Sequence, residues 1–254
     1  MTPQDRDQSP MKRLWDIPAA FVLLTRLPLP ALPDHAFAHG ARAVWAYPLV
    51  GLGLGLVVAT LSWLSNSAGL TDPATAGLML AALILLTGAM HEDGLADTAD
   101  GLWGGHDRDR RLEIMKDSRI GAYGVLALIV TMGLRWLGLA DATPAILITA
   151  LMLSRAAMPV LMLTLPLARA NGLSHSVGAP SFGTVVSGGL IAAVFAVFLC
   201  GGAGLLACLV VGGITLGMGW LAQVKIDGQT GDILGGTQIL CEVGVLLTLN
   251  TLLA

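Results

Sequence analysis

Asp93, Asp97 and Asp100 recur at i, i+4 and i+7 within H-E-D-G-L-A-D-T-A-D-G-L-W-G-G, residues 91–105. On a helix this spacing stacks three carboxylates on one face. Like charges so placed repel one another unless a cation sits between them. Mg²⁺ suits the place, because it is a hard ion that takes oxygen ligands and keeps waters or substrate phosphates in its shell. The chemistry expected is therefore a metal site that holds a phosphorylated substrate. Acids also favour helix N-termini. That preference accounts for Glu92 and Asp93 but not for a third turn of acids facing the same way. Eight of the seventeen acidic residues lie between His91 and Arg119, so the negative charge is gathered in one place. Gly94, Gly101, Gly104 and Gly105 allow close backbone approach there. H-E-x-x-H zinc chemistry is excluded, since Leu95 stands where the second histidine is needed. His91 is read as structural or as a hydrogen-bond donor, and His106 as solvated.

Cations that could clamp phosphate oxygens close the same segment, in Lys116-Asp117-Ser118-Arg119. Arg108, Arg110 and Arg111, interleaved with Asp107 and Asp109, read as a solvated turn. Arg155 falls in the middle of an apolar run and must pair with an acid of this chain or with a ligand phosphate. Glu242 is read as a buried acid that partners an arginine. Arg135 is placed near the outer end of its run, where it snorkels. Arg26 is a lone cation in F-V-L-L-T-R-L-P. Lys225 and Asp232 flank a glycine-rich turn, in which a free backbone could face phosphate or metal.

These residues sit in an oily chain. Of 254 residues, 55% are hydrophobic and 12% charged, with mean hydropathy +0.75. Soluble domains carry about 25% charged residues, so the chain reads as an all-α, polytopic integral membrane protein. A span needs roughly 20 apolar residues. Seven runs qualify, at about 43–65, 73–90, 120–140, 144–167, 184–200, 203–222 and 233–253. The proline-punctuated stretch Ile17 to Pro33 reads instead as an interfacial or re-entrant segment, and no cleavable signal peptide is visible. With the N-terminus inside, twelve of the fourteen Lys and Arg residues fall on the cytoplasmic side and the other two, Arg135 and Arg155, lie within spans. Every polar motif then faces the cytoplasm. Cys200, Cys208 and Cys241 lie in apolar runs and read as buried thiols. The GxxxG pairs Gly51/Gly55 and Gly213/Gly217 read as packing devices.

The ordered set F-V-L-L-T-R-L-P at 21–28, H-E-D-G-L-A-D-T-A-D-G-L-W-G-G at 91–105, L-E-I-M-K-D-S-R-I-G-A-Y-G at 112–124, S-R at 154–155 and G-x-x-G-D-x-L-G at 228–235 resembles the cobalamin synthase family, the adenosylcobinamide-GDP ribazoletransferases. In that family the late motif reads like G-G-x-T-G-D-x-L-G-A; here Asp227 replaces the first Gly and Gly236 the final Ala. The resemblance spans nearly the whole chain and implies one transmembrane domain over 1–254, with 91–119 as its cytoplasmic active-site segment. It implies a Mg²⁺-dependent transferase of the cell inner membrane. Such an enzyme joins adenosylcobinamide-GDP to α-ribazole or its 5′-phosphate and releases GMP.

The expected metal ligands are Asp93, Asp97 and Asp100, with Glu92. Asp93, Lys116, Arg119 and Arg155 are the expected catalytic groups. Arg26, Asp117, Ser118, Lys225 and Asp232 are expected to bind substrate. The expected partners are these two substrates and the lipid bilayer, without nucleic acid, and both a homo-oligomer and a complex with pathway enzymes are left open. CDP-alcohol phosphotransferases also array aspartates beside a span, but they need D-x-x-D-G-x-x-A-R, and no matching Arg follows Asp97-Thr98-Ala99-Asp100-Gly101 here. Prenyltransferases need two aspartate-rich motifs, and one is present. A carrier would suit Arg155 and Glu242, yet no internal repeat is evident.

Overall fold

The computed structural model describes residues 15–33 and 40–253. Arg6, Lys12 and Arg13, counted in the charge asymmetry, lie outside them. Helix α1 (Asp16–Leu24) leads into an extended stretch. A 3-10 turn, Gly40–Ala46, runs into α2 (Tyr47–Ser67). There follow α3 (Asp72–Thr87), α4 (Met90–Gly104), α5 (Arg108–Ile114), α6 (Ala122–Ala140) and α7 (Pro144–Thr164). The short α8 (Leu173–Val177) precedes α9 (Phe182–Cys200), α10 (Gly202–Ile226) and α11 (Gly231–Leu253). Among the described residues the one β-feature is an isolated parallel bridge between Leu167 and Gln229.

The helix ends follow local chemistry. Prolines open α2, α3 and α7, where the missing N–H costs nothing. Thr143 and Ser181 cap α7 and α9 by accepting from the backbone N–H groups of Ile146 and Thr184. Gly201, with φ +58°, makes the tight turn between α9 and α10.

Six segments are long and apolar enough to cross a membrane: Gly40–Ser67, α6, α7, α9, α10 and α11. The chain is a multi-pass helical membrane protein. The run expected as one span at 73–90 is an unbroken helix as far as Thr87, and it makes a seventh span only when taken together with α4 across a bend. Helix α3 has 16 residues and stops at Thr87, and the chain turns by 87° into α4. Sixteen residues rise about 24 Å, short of the ~30 Å hydrocarbon core. Gly88 and Ala89 make the bend with φ of +66° and +57°. Arg26 lies over it: its backbone N–H donates to Leu86 O, and a Cβ at Gly88 would come within 2.7 Å of Arg26 Nε. A cation at this helix C-terminus also meets the favourable end of the dipole.

Helices α7 and α11 form the centre and are mostly buried, whereas α9 and α10 are mostly exposed. Gly51 lets α2 meet α7 backbone to backbone, since a Cβ there would stand 2.2 Å from Leu151 O. Gly55 does the same against Ile148. The second pair behaves otherwise: nothing lies within 4 Å of a Cβ at Gly213 or Gly217, so these glycines pack nothing among the described residues.

A four-charge cluster ties the centre together. Arg135 Nη1 binds Glu92 at 2.6 Å and its Nε binds Glu242 at 2.7 Å. Arg155 Nη1 donates to Leu151 O at 3.1 Å and stands 4.0 Å from Glu242. Gln238 Nε2 bridges Ser154 Oγ and Glu242. Two arginines and two glutamates balance, and they join α4, α6, α7 and α11. This corrects one expectation: Arg135 is 1% exposed and does not snorkel. Arg155 is equally buried, and of the two partners expected for it the acid, Glu242, is the one beside it. Glu242 is the arginine partner it was expected to be.

Candidate active site

Helix α4 lies directly on α11. A Cβ at Gly94 would meet Asp232 O at 3.0 Å and Gly235 Cα at 3.3 Å, and one at Gly235 would meet His91 Cα at 3.3 Å. The two backbones touch because both positions lack a side chain. Asp93 and Asp232 consequently line one cavity of ≈ 240 Å³, together with His91, Arg169, Thr230 and Gln229. Most of the remaining wall is apolar, from Leu24, Tyr47, Met158, Met162 and Val177.

Arg169 forms an ion pair with Asp232, and Thr230 Oγ1 donates to the same carboxylate at 3.1 Å. Sequence reasoning counted Arg169 only in the charge asymmetry. Its place follows from a stitch between two loops. Gln229 N donates to Pro166 O at 2.8 Å, and Ala168 N donates to Gln229 O at 2.9 Å. Gly228 makes room, because a Cβ there would stand 2.3 Å from Pro166 O. Ser174 Oγ then donates to the Gln229 side chain, and Arg108 Nη2 to Ala168 O.

The three stacked aspartates divide. Asp93 is exposed and makes no side-chain hydrogen bond among the described residues. Asp97 is half-buried, within electrostatic reach of Asp93, Asp232, Asp100 and Arg169. Asp100 is buried, and its two oxygens accept from Gly121 N at 2.7 Å and Gly124 N at 2.9 Å. It therefore caps the N-terminus of α6, with backbone donors where a metal was expected. Glu92, also expected as a ligand, is engaged by Arg135.

Gly121 and Gly124 are required by the Asp100 cap. A Cβ at Gly124 would fall 2.4 Å from Asp100 Oδ2 and 3.0 Å from Ala96 O. Gly124→Ala is expected to push α6 away from α4 and to cost about 1–3 kcal/mol, read as a lower melting temperature in detergent. Gly133→Ala on the same helix, where a Cβ has open space, should leave melting unchanged.

The companion cations are dispersed. Lys116, Asp117, Ser118 and Arg119 lie on the turn between α5 and α6, outside the cavity wall. Arg119 hydrogen-bonds both Asp117 oxygens at 2.6–3.1 Å, and this holds the Asp117 carboxyl down at about 2. Lys116 is exposed, without an ion-pair partner among the described residues. Lys225 does not reach the cavity either. Its Nζ donates to Leu102 O at 2.8 Å, at the C-terminal end of α4, and sits 5.2 Å from the Trp103 ring. Arg111, read as solvated, donates to the carbonyls of Gly105, His106 and Lys225. Lys225 and Arg111 thus fasten α4, α5 and α10 behind the site.

Asp93, Asp97 and Asp232 offer oxygen donors only, the set a hard divalent ion prefers. Among the described residues no three acidic, histidine or cysteine side chains are already converged on one point. An ion held here would take a few of these carboxylates and complete its shell with water and phosphate. Zinc-type closure by protein ligands alone does not fit the arrangement.

The cobalamin-5-phosphate synthase family matches residues 16–250. An adenosylcobinamide-GDP ribazoletransferase of Mesorhizobium japonicum is 39% identical over 251 residues, 97% of this chain and 96% of that protein. One from Bradyrhizobium diazoefficiens is 43% identical over 238 residues, covering 91% and 92%. One from Brucella anthropi is 42% identical over 240 residues, covering 88% and 91%. No solved structure matches. The residues described above, from α1 to α11, fall almost wholly within the matched range, and the chain belongs to the cobalamin-5-phosphate synthase family.

Proposed function

We propose that this chain transfers the phosphoryl-cobinamide part of adenosylcobinamide-GDP to α-ribazole or its 5′-phosphate and releases GMP. The relatives' shared name supports the substrates. The observation that carries the chemistry is the meeting of Asp93, Asp232 and Arg169 on one cavity with apolar walls. In the transfer, a ribose hydroxyl oxygen forms a bond to the phosphorus attached to cobinamide, and the bond from that phosphorus to GMP breaks. The hydroxyl proton passes to a carboxylate, Asp93 or Asp232, and then to water.

Phosphoryl transfer depends mainly on positioning and charge neutralisation. Mg²⁺ bound by Asp93 and Asp97, with Asp232 beside them, would supply neutralisation of the diphosphate oxygens. Arg169 is placed to swing from Asp232 to a phosphate oxygen. Lys116 and Arg119, on the exposed turn, are assigned to the nucleotide end of the donor, which is too large for the cavity. Glu92, Asp100 and Arg155 position helices. The site opens to the cytoplasm of the cell inner membrane in this reading, because the Lys and Arg residues gather at that end.

The test is GMP release by the detergent-purified protein, given adenosylcobinamide-GDP and α-ribazole, with Mg²⁺ or with EDTA. Release is expected only with α-ribazole and Mg²⁺ together. Release without α-ribazole would mean hydrolysis and would overturn the acceptor half. Release unaffected by EDTA would remove the metal.

A further inference from the structure

We infer that residues 170–178, which carry the short α8, form a lid on the cavity: the segment swings out on two glycine hinges to admit substrate, and Ser174 latches it back onto Gln229. The inference rests on the proposed transfer for the need to open, and on the structure alone for the motion. The cavity of ≈ 240 Å³ lies below the roughly 300–1,000 Å³ usual for one small-molecule site, and the transfer brings two substrates together at Asp93 and Asp232. The cavity is half open as it stands, so the movement widens it rather than breaking a seal. Some wall must therefore move. The walls from α4, α7 and α11 belong to central helices joined by the Arg135, Glu92, Arg155 and Glu242 cluster. The wall made by Arg169, Asn171, Ser174, His175 and Val177 belongs instead to a loop with one five-residue helix. Asn171, Gly172, His175 and Ser176 on it are exposed.

The hinges are Gly172 and Gly178, at φ +104° and +85°, on either side of α8. Nothing stands within 4 Å of a Cβ at Gly172, and at Gly178 the nearest atom is Ala41 Cβ at 3.8 Å. Space does not require glycine at either position; the backbone conformation does. Lid motions are absorbed at a few such positions. The root of the segment is fixed, because Ala168 N is bonded to Gln229 O. Ser174 is 6% exposed, and its Oγ donates to Gln229 Oε1 at 2.7 Å. Gln229 precedes Thr230, Gly231 and Asp232, so this latch joins the lid to the loop that carries the site carboxylate. At the far end Val177 abuts Gly40, where a Cβ would lie 3.4 Å from Val177 Cα and 3.6 Å from its Cγ1. Closure therefore rests on a hydrogen bond and a packing contact that can part together, without disturbing the central helices.

Limited trypsin digestion reads the motion directly, because Arg169-Ala170 is a cleavage site at the root of the lid, and the exposed Arg110 and Arg119 serve as internal references. Cleavage of this kind tracks the population of the open form. Two variants are compared with wild type in detergent. In Gly40→Cys with Val177→Cys the paired Cβ atoms come within disulfide reach, about 3.5–4.5 Å, and oxidation pins the lid shut. The oxidised protein should be cut at Arg169, and should release GMP, at less than about a tenth of the rate of its own reduced form, with both restored by dithiothreitol. Ser174→Ala removes the latch and should speed the cut at Arg169 by roughly two- to tenfold, the effect of one hydrogen bond on an opening equilibrium. Equal cutting of the oxidised and reduced pair, a pair that does not oxidise, or a Ser174→Ala rate equal to wild type would overturn the lid. GMP release by the oxidised protein at the reduced rate would overturn its part in admitting substrate. Wild-type protein that makes no GMP under any condition would fail the proposed transfer itself, while the trypsin rates would still decide the lid.

Discussion

Asp93→Asn should leave the protein folded and reduce GMP release by roughly a hundred- to a thousandfold, the size of loss seen when one electrostatic contact to a transition state is removed. The exchange keeps the side chain's shape. Asp93 is exposed and makes no side-chain hydrogen bond among the described residues, so no packing partner is lost. Substitutions of that kind usually change stability by no more than about 0.5 kcal/mol. Asp93 also stands next to Gly94, where α4 touches Asp232 on α11. One negative charge therefore disappears from a group in which Asp93, Asp97 and Asp232 lie within electrostatic reach of one another. Binding of Mn²⁺ as a spectroscopic substitute should weaken along with turnover. Asp100→Asn makes the contrast, because Asp100 caps α6: its loss should lower the melting temperature and leave the apparent metal affinity of the remaining folded protein near normal. A near-wild-type rate for Asp93→Asn would remove Asp93 from the proposed metal site and leave that proposed role to Asp97 and Asp232.

Much of the bundle could be read from hydropathy alone, since run length and composition decide whether a helix can cross lipid. The bend at Gly88-Ala89 could not. Residues 73–90 have the composition of a span, and only the two consecutive left-handed residues and the cation of Arg26 over them turn the chain. The periodicity of Asp93, Asp97 and Asp100 places them on one face but does not say what stands opposite. The N-terminus of α6 stands opposite Asp100, and open cavity opposite Asp93. Glu92 is one position away, a rotation of about 100°, which turns it from the cavity side toward Arg135. A hint was present in I-G-A-Y-G, whose glycines leave room for the Asp100 carboxylate, but reading it requires knowing that the two motifs meet. Arg169 carried no local signal, because its role comes from the stitch between Pro166, Ala168 and Gln229. Asp227, which stands where the resembling family has Gly, adopts φ +56° at the end of α10, a conformation that glycine takes freely and Asp tolerates. Its carboxylate meets Arg108 Nε at 3.3 Å, so the departure keeps the turn and adds a contact.

Arg135→Met should produce the largest loss of stability of any single substitution discussed. The Arg135 and Glu92 side chains are 2% and 8% exposed, and Glu242 is fully buried. Without the guanidinium, two buried carboxylates face one remaining cation, Arg155, which is 4.0 Å from Glu242. Breaking a buried pair by removing one partner costs about 3–5 kcal/mol, because the other charge is left uncompensated. The expected readout is loss of the monodisperse peak after mild heating, followed by fluorescence-detected size exclusion. Arg135→Lys keeps the charge but cannot reach two carboxylates from one planar fork, so it should fall between wild type and Arg135→Met. The decisive variant is Arg135→Met with Glu92→Gln. It leaves Arg155 and Glu242 as a balanced pair and should recover part of the stability, whereas additive losses would mean that packing rather than charge balance sets the cost. A snorkelling arginine would predict a change within about 0.5 kcal/mol and no rescue. The cluster also explains how a helix as polar as α4 is held against α11. Glu92 is the residue beside Asp93, and its ion pair fixes the rotation of α4 about its axis. The rotation that presents Asp93 to the cavity is the one that buries Glu92 on Arg135. In Arg135→Met with Glu92→Gln, the surviving folded protein should therefore turn over more slowly than wild type even where its melting temperature recovers, because the charge is rebalanced but the ion pair that orients Asp93 is gone.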